Sequence, residues 1–202
     1  MHNAKAIFIA NMREADALIG IYDYLAGTVG EAISLDDLLR SRAVYSVSAF
    51  DKLLHDLIRI GIVQTYIGVR IATPKFQNEP IPLSVAQQLS SAVTPPPEVL
   101  FEQIIRAKLK ILSFQDPDKL SDGLSYIWSE PQKWQKISAR IGIPESTAKT
   151  TLRLIANRRN AIVHEADLDP ITGQKIPISK NESDDISTFL FNLGNAICDL
   201  VT

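Results

Sequence analysis

The segment SLDDLLRSRAVYSVSAFDKLLHDLIRIG, residues 34–61, decides the fold of this 202-residue chain. Apolar residues recur in it every three to four positions, and neither proline nor glycine interrupts the pattern before Gly61. This spacing places the apolar side chains on one face of an α-helix. We therefore predict a long helix from residue 35 to about residue 60, opened by Ser34 in a variant of the capping box, as the scaffold of a helical bundle.

The same apolar spacing predicts helices on both sides of this scaffold. The segments concerned are 11–27, about 84–92, 97–113, two shorter helices within 116–141, a helix that opens at Pro144, and 183–201 with Ser183 as its cap. In the helix over 97–113, Val99, Leu100, Ile104 and Leu112 are expected to be buried. Residues 61–82 mix β-branched residues with glycine and proline, which predicts a short hairpin or an extended crossing, and residues 166–182 are expected to form a loop.

This pattern predicts an all-α fold with little or no strand. We expect one helical domain over residues 1–202, which is within the usual size of a single domain. Its parts would be an N-terminal helix within 1–33, the long scaffold helix within 34–66, motif-bearing helices within 97–166 and a C-terminal helix within 183–202.

Composition limits the classes of function. The chain is 46% hydrophobic and 22% charged with a net charge of -2, so any attraction to a nucleic acid must come from a local patch. Cys198 is the only cysteine, which excludes an intramolecular disulfide and a cysteine-based metal cluster, and we interpret it as core filler. The apolar run AIFIA, residues 6–10, is too short for a signal peptide or a membrane span. We expect a cytoplasmic protein.

The chemistry is concentrated in RLIANRRNAIVHEADLDP, residues 153–170. It contains three arginines, an amide and a histidine, at Arg153, Arg158, Arg159, Asn160 and His164. Arginine presents a planar fork of donors that matches phosphate geometry. Histidine can take and give a proton near neutral pH. These residue types suit a site that holds a phosphodiester and moves a proton.

Helix geometry restricts how these residues can cooperate. A five-residue step turns about 140° around an α-helix, so Arg159 and His164 do not share a face, whereas Asn160 and His164, one turn apart, do. Either the helix is distorted or ends there, or a second subunit completes the site across a two-fold interface.

Other interpretations of this stretch remain open. Arg158 or Arg159 could pair with Glu165 or Asp167 in an ion-paired helix terminus. A metal site built from His164, Glu165, Asp167 and Asp169 is a third possibility, although it lacks the spacing of a known zinc motif. Outside the stretch, Asp51 and His55 lie one helical turn apart, and a structural hydrogen bond between them is favoured over a catalytic dyad.

The sequence RRNAIVHEADLDP resembles the HEPN superfamily, whose motif is an arginine with a polar neighbour and a histidine four to six residues later. The residues that match are Arg159, Asn160 and His164. The segments VSAFDKLLHDLIR (47–59), KILSFQDPDKLSDGL (110–124), the region of Trp134 and IANRRNAIVHEAD (155–167) are together similar to the RiboL-PSP-HEPN branch. This similarity covers most of the chain.

The resemblance implies a bundle of four or five core helices that forms a homodimer with the two motifs facing each other. It also implies an RNase that needs no metal or other cofactor, often in an antiviral or toxin system that a cognate antitoxin can silence. By this resemblance Arg159 and His164 would be the catalytic pair with Asn160 beside them. Independently of it, Arg158 and Arg153 are expected to bind flanking phosphates of the RNA, because contacts to the backbone give affinity without sequence information. The alternative is a non-catalytic RNA-binding or dimerisation module, since some members only bind.

Overall fold

The computed structural model describes residues 1–29 and 34–201, and these residues form an all-α bundle, as predicted. The only β-type pairing in the described ranges is an isolated bridge between Leu168 and Lys175. The helices are α1 (His2–Val29), α2 (Asp36–Tyr66), α3 (Pro74–Gln77), α4 (Leu83–Ser91), α5 (Pro97–Leu109), α6 (Pro117–Leu124), α7 (Lys133–Ile141), α8 (Glu145–His164) and α9 (Lys180–Val201).

Helix α2 is the central element of the bundle. It packs against α1, α5, α6, α8 and α9. Its apolar stripe is fully buried, including Leu39, Phe50, Leu54 and Leu57, each at most 1% exposed. Leu35 rather than Ser34 occupies the capping position and makes no side-chain capping bond, while the Oγ of Ser34 accepts the backbone N–H of Asp36 at 3.5 Å, a long contact, in place of the predicted capping box. Residues 30–33, which fall in the predicted N-terminal segment, and residue 202 lie outside the described residues.

Gly61 does not end α2, which continues to Tyr66. A Cβ atom at Gly61 would lie only 2.4 Å from Cγ2 of Ile127, so the glycine permits close packing of the segment after α6. Of the two forms predicted for residues 61–82, the hairpin is wrong, since these residues form no strand, and the extended crossing holds only in part. This segment contains the last turn of α2, the short helix α3 and extended stretches on either side of α3.

Replacing Gly61 with alanine is expected to destabilise the protein by about 1–3 kcal/mol, because the added methyl group overpacks the contact with Ile127. Gly20 in the exposed middle of α1 is the matched control, since nothing lies within 4 Å of a Cβ there. Gly20→Ala should leave stability unchanged or raise it by up to about 1 kcal/mol. Urea unfolding measures both, and equal midpoints for the two variants would contradict the packing role of Gly61.

Two helices differ in detail from their predicted forms. Helix α1 begins at His2 rather than near residue 11, so the AIFIA run belongs to it. Helix α5 begins at Pro97 as predicted but ends at Leu109. Its buried residues are Phe101 and Leu109, whereas Val99 and Leu112 are 41% and 42% exposed, so the predicted inward face was misplaced.

The C-terminal helix α9 starts three residues earlier than predicted. The Oγ atom of Ser179 accepts a hydrogen bond from the backbone N–H of Glu182 at 3.1 Å, while Ser183 is buried inside the helix. The predicted cap at Ser183 is thus wrong, and Ser179 takes that role. Cys198 is buried in the core, and burial raises the pKa of its thiol to about 11. None of the described helices combines the length and apolar character needed to cross a membrane.

Candidate functional site

Helix α8 carries the predicted site residues on two different faces. Its buried face consists of Ala148, Leu152 and Ile155, which pack toward the bundle. Arg159 follows Ala148 by eleven residues, a rotation that returns to within about 20° of the same direction. Arg159 therefore continues the inward stripe and is half-buried, while His164 on the far side of the helix is exposed.

Arg159 lies where two open clefts meet. The α2–α5 cleft has a volume of about 420 Å3, and the α6–α8 cleft about 500 Å3. Asp51, Gln115 and Arg159 line both of them. The two clefts are thus adjacent, with Arg159 in the wall of each.

The Arg159 guanidinium is mostly free to bind an anion. A guanidinium has five N–H donors. In the described residues Arg159 makes one side-chain hydrogen bond, from Nη1 to Oδ1 of Asn160 at 3.0 Å, and no ion pair. Asn160 therefore orients the guanidinium. Nε is buried without a partner among the described residues, and the donors left on Nη1 and Nη2 can form the bidentate contact that suits a phosphate.

Arg153 lines the α6–α8 cleft together with Arg159 and Asn160. Its side chain is 48% exposed, and it faces Asp118 at 3.3 Å and Asp116 at 3.8 Å. Exposed ion pairs of this kind contribute little free energy. A phosphate could therefore compete with these carboxylates for Arg153.

His164 is not brought together with Arg159 in one protomer. It is the last residue of α8, is exposed, and lines neither of the two clefts. Arg153, Asn157 and Asn160 lie within about 40° of it around the helix, whereas Leu154, 63% exposed, and Val163, 45% exposed, lie on opposite sides of this face. This face is mainly polar and carries the charge of Arg153.

Arg158 points away from the clefts into a buried ion cluster. Its Nη1 lies 2.9 Å from Oδ1 of Asp167, whose side chain is 1% exposed, and its Nη2 donates to the carbonyl oxygens of Ile176 and Pro177. Arg40 donates from Nε to Oδ2 of the same Asp167 at 2.6 Å. Burial acts to lower the pKa of Arg40, but the hydrogen bonds to its carboxylate partners outweigh it and raise the pKa.

These contacts give the acidic residues after His164 a structural role. The ion-paired helix terminus is confirmed for Arg158 and Asp167. The binding of an RNA phosphate by Arg158 stays a prediction, and this ion pair disfavours it because Asp167 already occupies the guanidinium. Asp169 closes the following turn, where the backbone N–H groups of Thr172 and Ile171 lower the pKa of its carboxyl group. Within residues 1–29 and 34–201, no group of three His, Cys, Asp or Glu side chains is placed to hold a metal ion.

The α2–α5 cleft contains residues that were not predicted as site residues, including Asp51, His55 and Lys110. The predicted hydrogen bond between Asp51 and His55 is wrong, because Oδ2 of Asp51 is 3.7 Å from Nε2 of His55. Oδ1 of Asp51 instead accepts the backbone N–H of Phe114 at 2.8 Å. Only the one-turn spacing of Asp51 and His55 could have indicated this group from the sequence.

Comparison with known proteins gives one match. The family model described as RiboL-PSP-HEPN matches residues 12–202, which is nearly the whole chain. No curated protein and no solved structure matches the chain. The site geometry must therefore be interpreted from this chain and its family alone.

Proposed function

The chain belongs to the RiboL-PSP-HEPN family, and from this premise we propose that it is a metal-independent endoribonuclease with Arg159 at the centre of its site. Family membership supports an RNase or RNA-related role. The more specific proposal, an endoribonuclease centred on Arg159, rests on one observation. Arg159 is half-buried where two clefts meet, is oriented by Asn160, and keeps hydrogen-bond donors that no other described residue occupies. A phosphodiester is the anion in RNA that such a fork fits.

The proposed reaction is in-line attack of a ribose 2′-OH on the adjacent phosphorus. Arg159 stabilises the charge that gathers on the non-bridging phosphoryl oxygens, and Asn160 holds the guanidinium in place. His164 exchanges a proton with the attacking or the leaving oxygen. The products are a 2′,3′-cyclic phosphate and a 5′-hydroxyl, and Arg153 binds a flanking phosphate in the α6–α8 cleft.

The separation of Arg159 and His164 on α8 supports a dimeric site. A two-fold axis beside the exposed face of α8 would bring a second copy of His164 and Asn160 toward the clefts. Leu154, 63% exposed at the edge of this face, would be partly covered by such an interface. The homodimer is therefore part of the proposal.

The alternative is a non-catalytic RNA-binding or dimerisation module. The polar face of α8 favours it, because Asn157, Asn160 and His164 could serve only to join two copies. A role in defence or as a toxin restrained by an antitoxin extends the catalytic proposal. Growth inhibition by the wild-type protein, relieved by His164→Ala, would support that extension.

The test is cleavage of labelled total tRNA and single-stranded RNA in the presence of EDTA. Wild-type protein is expected to produce fragments with 2′,3′-cyclic phosphate ends, and His164→Ala is expected to be at least about 100-fold slower. His2→Ala serves as the control, since His2 is an exposed histidine at the start of α1. A folded dimer that binds RNA but cleaves none of it would contradict catalysis and favour the binding module.

A further inference from the structure

The α2–α5 cleft has an excess of unpaired positive charge beside Arg159. Lys52 pairs with Asp56 at 2.8 Å, and Arg59 pairs with Asp56 at 3.2 Å and with Glu102. Within the described residues Lys110 and Arg159 form no ion pair, and both line this cleft. An anion that enters the cleft therefore meets two cations that form no ion pair, against one lining carboxylate, Asp51, that pairs with neither lysine nor arginine among the described residues.

The half-buried His55 also lines this cleft. Its side chain is 24% exposed, and its ring packs edge-on against Phe114 with 4.8 Å between the ring centroids. Among the described residues neither ring nitrogen has a hydrogen-bond partner. Neither nitrogen is a buried atom, so both are accessible to water or to a substrate in the cleft.

Asp51 is held in a position to support the His55 ring. The backbone N–H of Phe114 fixes Oδ1 of Asp51, so its Oδ2 stays on the side of His55 Nε2, at 3.7 Å. This distance is too long for a hydrogen bond, but such contacts are often long without substrate and shorten when it binds. A carboxylate beside an imidazole stabilises the imidazolium that forms when the ring takes a proton.

From this geometry we infer that His55 is a second catalytic histidine, which acts in the same protomer as Arg159 on the phosphodiester that Arg159 binds. This inference rests on the proposed endoribonuclease function and names a further residue of that site. Asp51 is a positioning residue for His55, and Lys110 adds positive charge to the phosphate site.

The inference assigns the two proton transfers. His55 takes the proton of the 2′-OH on Nδ1, the ring nitrogen that does not face Asp51, as the O2′–P bond forms. The P–O5′ bond breaks, and the leaving 5′-oxygen receives a proton from His164, which a second protomer brings to the other side of the phosphate. An in-line reaction needs its base and its acid on opposite sides of the phosphorus, and a single histidine cannot occupy both.

The test compares His55→Gln with wild type and with His2→Gln in the RNA cleavage assay with EDTA. His55→Gln is expected to be at least about 100-fold slower, while its Kd for a 2′-deoxy oligonucleotide, which lacks the attacking hydroxyl, changes less than about threefold. Because a base must be deprotonated, the wild-type rate should rise with pH on the acidic side of its profile, and that rise should be lost in His55→Gln. His164→Ala should instead lose the fall on the alkaline side.

A second variant, Asp51→Asn, tests the inference independently in case His55→Gln does not fold. Asp51→Asn keeps an oxygen for the Phe114 N–H but removes the negative charge beside the imidazole, so kcat should fall and the acidic side of the pH profile should move. In NMR spectra, the His55 imidazole resonance, identified by its absence in His55→Gln, should shift on addition of the 2′-deoxy oligonucleotide in wild type but not in Arg159→Ala.

The outcomes separate the inference from the proposed function. If wild type cleaves RNA and folded His55→Gln or Asp51→Asn retains the rate and pH profile of wild type, His55 is not a catalytic group and the endoribonuclease proposal stands. If the His55 resonance of wild type does not shift when the 2′-deoxy oligonucleotide is added, the inference is also overturned. If wild type cleaves no RNA, the proposed function and the catalytic role of His55 fail together.

Discussion

Arg159→Ala is expected to slow RNA cleavage by about 100- to 1000-fold, the loss typical of removing one preorganised donor group from a developing anion. The guanidinium sits where the two clefts meet and makes a single protein hydrogen bond, to Asn160. Because so few native contacts are lost, we expect the Tm to fall by no more than a few degrees. The measurement pairs initial cleavage rates in EDTA with thermal unfolding of the same preparation.

The neighbouring Arg158 offers the matched control, since Arg158→Ala removes the same charge one position away. Arg158 is bound to Asp167 and to two backbone carbonyl groups, so its loss should lower the Tm. Below that Tm, cleavage should stay within a few-fold of wild type. If Arg158→Ala abolished cleavage in a folded protein while Arg159→Ala did not, the centre of the site would lie at Arg158 instead.

A third substitution separates charge from geometry at Arg159. Lysine keeps the positive charge but lacks the planar fork that contacts two phosphoryl oxygens at once. Arg159→Lys should therefore bind RNA nearly as well as wild type and still lose most of the cleavage rate. Full activity in Arg159→Lys would show that only net charge is needed at this position.

Much of the fold could be predicted from apolar spacing because the long helices bury continuous stripes. The stripe of α2 is regular enough to identify the scaffold of the bundle. The prediction that the long helix ends at about residue 60, next to Gly61, failed for a physical reason. Glycine is a frequent helix terminator, but here it is required by the close approach of Ile127, a tertiary contact that leaves no local signal.

Part of the candidate site could be derived from helix geometry, and the rest could not. The 140° rotation between Arg159 and His164 follows from the sequence, and α8 is a regular helix through His164. That Arg159 faces α2 and shares a cleft with His55 depends on how two distant helices pack. The separation of Arg158 from Arg159 also depends on packing, because adjacent positions on a helix point about 100° apart and meet different neighbours.

Asp167→Asn is expected to destabilise the protein by about 3–5 kcal/mol, the largest stability effect among the changes considered. Asp167 is 1% exposed and holds two guanidinium groups, from Arg40 and Arg158. Removing its charge takes away the buried anion that both guanidinium groups contact and leaves Arg40 with the exposed Asp37 and Arg158 with the exposed Glu182, and breaking a buried pair has this cost. Asparagine is almost the same size and tolerates the positive φ of 57° at this position, so backbone strain adds little.

Glu165→Gln is the matched control, because it removes the same charge two residues away from an exposed side chain. Its stability should stay within about 0.5 kcal/mol of wild type. For a chain of this size the loss in Asp167→Asn corresponds to a fall in Tm of roughly 6–20 °C. Because the pair is buried, 0.5 M salt should leave the difference between the two variants almost unchanged. If Asp167→Asn unfolded with the same midpoint as Glu165→Gln, the Asp167 cluster would not be what fixes the loop after α8 to α2.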